Sequence, residues 1–116
     1  LGIELEDAGK LVSDLSGGER KSIAIARSLY FRPKLLILDE PTAALSIKES
    51  KIVLDHVQAV KDAGIPVIFI SHNIHHIYPI ADKFIVLDRG CMIGDVEKEK
   101  VTIDELIEAV VTGRNL

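Results

Sequence analysis

Leu35-Leu36-Ile37-Leu38-Asp39-Glu40-Pro41 sets four aliphatic residues in a row against two adjacent carboxylates and a proline. A short unbroken apolar run suits a strand buried on both faces, as in a parallel sheet covered by helices. Pro41, with no N–H to donate, stops the strand. Val67-Ile68-Phe69-Ile70 and Phe84-Ile85-Val86-Leu87 repeat the pattern and take the same reading. Between the first two runs, residues 47–63 put Ser50, Val53, Leu54, Val57 and Val60 on one face, with Lys48, Lys51, Asp55 and Asp62 mostly elsewhere. That is the period of a surface helix, closed by Gly64 and blocked by Pro66. Strand, crossover helix and strand make a βαβ unit, for which parallel pairing is expected.

The same reasoning extends outward. Residues 17–31 predict a helix with Ser22, Ile25, Ala26 and Leu29 on one face, ended by Arg32-Pro33. Arg89-Gly90 supplies a turn from the third strand into residues 91–96, a terminal antiparallel hairpin. Thr102-Ile103-Asp104-Glu105 is a capping box opening a last short helix, with Gly113 as its stop. The class is α/β: parallel strands, flanking helices and a C-terminal hairpin.

At 116 residues, 47% hydrophobic and 28% charged, the chain has the balance of one folded domain, not of a disordered segment. A formal net charge of −4 argues against general affinity for nucleic acid. The longest apolar run, Ile65 to Ile70, is interrupted by Pro66 and falls far short of the roughly 20 residues that span a bilayer. Leu1-Gly2-Ile3-Glu4 has neither an initiator Met nor a basic signal region and reads as a cut in a longer chain. Cys91 has no partner for an internal disulfide and reads as a small core residue.

Three places carry chemistry. Ser16 and Glu19 form an ordinary capping box around Gly17 and Gly18. Glycine weakens a helix by about 1 kcal/mol, so two at a helix start ask for a reason. Unobstructed N–H groups beside a serine hydroxyl, at the positive end of a helix, suit phosphate binding. Asp39 and Glu40 follow a buried strand, and strand C-terminal ends are where α/β sheets bind ligands. Asp39 is placed to hold a hydrated Mg²⁺, and Glu40 to orient and deprotonate an attacking water. His72 comes just after the second strand, hence at the same sheet edge, where it can bond a phosphate or orient the carboxylate and water. A zinc site built from His72, His75 and His76 lacks further ligands nearby, which leaves His75 and His76 as solvated helix residues. Arg20, Lys21 and Arg27 read as a solvated helix face, with phosphate within reach of Arg20 or Lys21 as the alternative.

Together these residues, in this order, resemble the ABC (ATP-binding-cassette) ATPase family. Leu15 to Glu19 match its signature motif, and residues 16–31 its signature helix. Leu35 to Asp39 match its Walker B strand, with Glu40 as the catalytic base. Ala43-Ala44-Leu45-Ser46 matches the D-loop, and His72 the H-loop. The usual Gln after the glycines is Glu19, and the usual Asp of the D-loop is Ser46. No G-x-x-x-x-G-K-[ST] occurs, and the Q-loop is absent as well. The D-loop stretch and Ile70-Ser71-His72-Asn73-Ile74-His75-His76 look most like the ATPase subunits of bacterial monosaccharide importers.

The resemblance implies a partial P-loop NTPase-like sheet and the C-terminal part of one ABC ATPase domain over residues 1–116, with the hairpin and last helix at 83–112. It implies an ATP-hydrolysing importer subunit using ATP and Mg²⁺. In such a pair, Ser16, Gly17, Gly18 and Glu19 would grip the γ-phosphate of nucleotide held by a second ATPase subunit, head to tail. Asp39, Glu40 and His72 would serve the chain's own nucleotide. Further implied partners are transmembrane permease subunits and, indirectly, a periplasmic or extracellular solute-binding protein. The implied location is cytoplasmic, peripheral on the inner face of the membrane. Without a phosphate loop, residues 1–116 alone are expected neither to bind ATP tightly nor to hydrolyse it, and to associate through uncovered sheet. Two other readings stand beside this: a non-catalytic assembly or regulatory module that meets a P-loop-bearing partner, and an ABC ATPase of DNA repair or translation.

Overall fold

A computed structural model describes residues 8–116, which form two compact units divided after Ser71. The first unit contains helix α1 (Gly17–Tyr30), strand β1 (Leu36–Asp39), helix α2 (Ile47–Asp62) and strand β2 (Val67–Ile70). β1 and β2 pair in parallel, with Leu36 opposite Val67 and Asp39 opposite Ile70, so α2 is the crossover of a βαβ unit. Ser46 caps α2 as Ser16 caps α1, each in a reciprocal box with the glutamate three positions on. The two helices pack on each other through their apolar stripes, Ile25 of α1 and Val53, Val57 and Val60 of α2 being buried. Full burial of each such aliphatic is worth about 1.5–3 kcal/mol.

The strands are not buried on both faces. Leu36 is buried and Leu38, Val67 and Phe69 half-buried, whereas Ile37 is 59% exposed and Ile68 and Ile70 47% each. A single crossover helix supplies a layer for only one side of a sheet. An unbroken aliphatic run is therefore compatible with one covered face, and the expectation of two is corrected here.

The second unit, residues 72–116, contains helix α3 (Ile74–Ile77), strands β3 (Lys83–Asp88) and β4 (Cys91–Glu97), and helix α4 (Ile103–Thr112). β3 and β4 pair antiparallel across Arg89-Gly90, whose φ angles of +47° and +80° are those a two-residue hairpin turn demands. Phe84 and Val86 point into a cluster with Ile93, Val101 and Leu106, flanked by Ile74, Ile77 and Tyr78. Tyr78 stacks on Phe84 at 5.5 Å between ring centres and donates its hydroxyl to the Val101 oxygen at 2.9 Å. Ile85 and Leu87 are exposed, so β3 also has one covered face, the usual condition of an antiparallel hairpin.

Cys91 corrects a second expectation: it is exposed at the start of β4, beside the turn, and is not a core residue. α4 opens with the Thr102–Glu105 box and ends at Gly113, left-handed at φ +68°. Among the described residues, no helix is long and apolar enough to cross a membrane.

Candidate functional site

The first unit brings the signature segment and the acidic pair onto adjoining backbone. β1 ends at Asp39, and the Glu40 amide donates to the Ile70 oxygen at 2.8 Å, one further rung on β2. The chain then turns sharply. Glu40 has φ +48° and Ala44 φ +59°, both in the left-handed region that non-glycine residues rarely adopt. Within the turn, the Ala43 amide donates to the Glu40 oxygen at 3.2 Å and the Leu45 amide to the Thr42 oxygen at 3.4 Å. Pro41 and Thr42 are buried beneath it, and Ser46 receives the chain into α2. Asp39 is exposed, on the same strand face as Ile37, while Glu40 is half-buried.

The start of α1 meets this turn and the start of α2. Ser16 Oγ accepts from the Glu19 amide at 3.1 Å, and the Glu19 carboxylate accepts from the Ser16 amide at 3.3 Å. The Ser16 hydroxyl and the Gly18 amide also donate to the Glu49 carboxylate at the start of α2. A Cβ on Gly17 would meet Leu45 Cδ2 at 3.1 Å, and one on Gly18 would meet Glu49 Cβ at 3.0 Å. Both glycines thus have a packing reason, close approach of α1 to the turn and to α2, besides any ligand. Glu49 is held below the ordinary glutamate range, chiefly by the Ser46 amide it accepts from and then by the Ser46 hydroxyl.

Two contacts were missed from the sequence. Lys21, read as part of a solvated face, donates its Nζ to the backbone oxygens of Glu40 at 3.2 Å and Ala43 at 3.0 Å. His56 is buried, with Nδ1 3.0 Å from the hydroxyl of buried Ser22, and joins the two helices. The second had a signal: Val53, His56, Val57 and Val60 hold the spacing of one helix face, and a polar residue on such a face needs a partner. The first had none, because a lysine's reach is invisible in sequence spacing.

His72 comes two positions after Ile70 in the chain and opens the second unit; it is exposed. It lies ahead of α3, whose N-cap is Asn73, so it does not share a helix face with His76. His76 is half-buried against Asn73, whose Oδ1 accepts the His76 amide at 3.3 Å, so of the pair His75 and His76 it is His75 that is exposed. Among the described residues, no group of three His, Cys, Asp or Glu is gathered as a metal cage. Mg²⁺ carried by a nucleotide needs no such cage: it takes one or two carboxylates, phosphate oxygens and waters. The exposed Asp39 carboxylate at a strand end is a donor of that kind.

The fold is of one class with the ATP-binding cassettes of ABC transporters, to which the chain is similar, and residues 2–43 match the family described as ABC transporter. Its curated relatives include sugar-import ATP-binding proteins. It is 41% identical over 112 residues to the xylose/arabinose import ATP-binding protein XylG of Sulfolobus acidocaldarius, covering 97% of this chain and 45% of that protein. It is 40% identical over 116 residues to the ribose import ATP-binding protein RbsA of Caldanaerobacter subterraneus, covering all of this chain and 23% of that one. The chain thus spans less than half the length of these relatives. Among solved structures, a nucleotide-free ATP-binding cassette from an ABC transporter superposes with a TM-score of 0.73 at 26% identity, covering 85% of this chain and 39% of that one. A dimeric cassette in a post-hydrolysis state, bound to ADP and Pi, gives 0.70 at 26% identity, covering 83% and 41%.

Proposed function

We propose that this chain is the signature-and-hydrolysis portion of the ATP-hydrolysing subunit of an ABC importer for a sugar. The observation that carries the reading is the turn after β1, where the Asp39-Glu40 pair leaves a parallel strand edge beside the start of α1, in a chain 41% identical to a pentose-import ATP-binding protein. The reaction is in-line attack of water on the γ-phosphorus, with cleavage of the bond to the bridging oxygen of ADP. Glu40 takes the proton of the attacking water, and His72 contacts the γ-phosphate and helps orient that water. Asp39 would hold the nucleotide's Mg²⁺, which would supply charge neutralisation at the phosphates. Ser16, Gly17, Gly18 and Glu19 present their hydroxyl and amides to the γ-phosphate of nucleotide held by a second cassette, head to tail. Permease subunits and, through them, a solute-binding protein complete the assembly, which sets the ATPase on the cytoplasmic face of the membrane.

The test is Mg²⁺-dependent ATP hydrolysis by the complete protein in which this chain occurs. Glu40→Gln is expected to lower turnover by on the order of 10²–10³-fold, the usual worth of a general base, while ATP is still bound. Wild-type turnover in that variant removes the reading.

A further inference from the structure

The backbone of Glu40 sits where an L-residue is disfavoured, at φ +48°, and Ala44 repeats this at φ +59°. Such residues persist only where their surroundings over-determine them. The turn's own backbone bonds, Ala43 N to Glu40 O at 3.2 Å and Leu45 N to Thr42 O at 3.4 Å, are long for N–H···O bonds. The second hold comes from outside the turn. Lys21 Nζ donates to the oxygen of Glu40 and to the oxygen of Ala43, the residue just before Ala44. An ammonium brings three donors and a full charge, and charge-assisted bonds are the stronger kind. Fixing the Glu40 carbonyl fixes the peptide plane that follows the left-handed residue, and with it the direction in which the side chain leaves the strand. The lysine can reach because Gly17 and Gly18 let α1 lie close against Leu45 and Glu49.

We infer that Lys21 is a positioning residue for Glu40: its ammonium clamps the left-handed turn that aims the carboxylate. This rests on the proposed role of Glu40 as the base. Lys21 therefore acts through backbone carbonyls and is not a phosphate ligand. It also ties the start of the signature helix to the hydrolytic turn of the same chain.

The experiment compares Lys21→Met, which keeps the aliphatic stem but no donor, with Lys21→Arg, which keeps donors, in the complete protein alongside Glu40→Gln. Lys21→Met is expected to lower kcat by about tenfold, with KM for ATP within about twofold of wild type, the split that marks lost placement and not lost binding. Lys21→Arg should recover most of kcat, since a guanidinium can also donate to two oxygens. Amide hydrogen exchange gives a readout independent of turnover: the Ala43 and Leu45 amides should exchange faster in Lys21→Met, with the α2 amides unchanged. Wild-type kcat in Lys21→Met, equal losses in Met and Arg, or unaltered exchange at Ala43 would each overturn the inference. A full loss in Glu40→Gln beside full turnover in Lys21→Met removes the role of Lys21 alone. Normal turnover in Glu40→Gln removes the reading beneath it, and the inference with it.

Discussion

The two units of this chain solve the same problem, a small sheet beside helices, with opposite economies. In residues 72–116 every local device agrees with the fold. A two-residue turn has both residues left-handed, α4 has a capping box and a left-handed glycine stop, and Phe84, Val86, Ile93, Val101 and Leu106 form one continuous apolar cluster. In residues 8–71 the caps are as regular, yet the turn after β1 holds Glu40 and Ala44 in disfavoured backbone. Among the described residues, left-handed non-glycine backbone outside a hairpin turn falls in the unit that carries Asp39 and Glu40. That is where local consistency is expected to yield to a site.

The largest expected effect breaks the orderly unit. Phe84→Ala removes a buried ring stacked on Tyr78 and should cost about 3–5 kcal/mol. Hydrogen exchange would report it as lost protection across β3 and β4. Equal loss across β1 and β2 would show that the two units unfold as one, and the comparison would not stand.

A smaller effect sharpens the other side. In Gly18→Ala the new methyl would meet Glu49 Cβ at 3.0 Å and Cγ at 3.1 Å. Overpacking of this kind costs about 1–3 kcal/mol, offset by up to about 1 kcal/mol of helix propensity. A lowered denaturation midpoint, with faster exchange confined to the starts of α1 and α2, is the expected result. A raised midpoint would mean that the close approach of α1 to α2 has slack.

The smallest effect is in pH. Glu49 in the first unit and Glu105 in the second are both held low by their capping boxes, the Ser46 and Thr102 amides being the leading causes. A depressed carboxylate contributes stability above its unfolded pKa and loses it as pH falls through the folded one, so both units should weaken below about pH 4.5. Lys83 is raised, first by its hydrogen bond to Asp95 and then by that charge, at 2.7 Å. Its contribution is present below the unfolded lysine pKa and lost as pH rises through the folded one, above about 10.5. This gives the second unit an alkaline limb. Lys83→Met should abolish it in a denaturant titration run across pH 9–12, and a limb that survives would assign it elsewhere.

Much of this was legible because it is local. Ser16, Ser46 and Thr102 each stand three positions before a glutamate, and Arg89-Gly90 sits between two apolar runs, so caps and turn follow from spacing alone. The acidic pair was legible as chemistry for the same reason, two carboxylates and a proline closing an aliphatic run. What spacing does not encode is what stands opposite. Leu35 to Leu38 read alike with one face covered or two, and Cys91 reads alike in a core or at the rim of a turn. Lys21 lies nineteen positions from Glu40, and only the approach of α1 permitted by Gly17 and Gly18 brings them together.

The rung from the Glu40 amide to the Ile70 oxygen also has a consequence in time. It joins groups about thirty positions apart, whereas Asp88 and Cys91 pair across a two-residue turn. Loop closure of the longer kind is slower, and parallel pairing must wait for the whole crossover helix. On a ribosome, the turn after β1 cannot take its final shape until residue 70 has been made and has docked. The acidic pair thus takes its final setting among the last steps by which the first unit assembles.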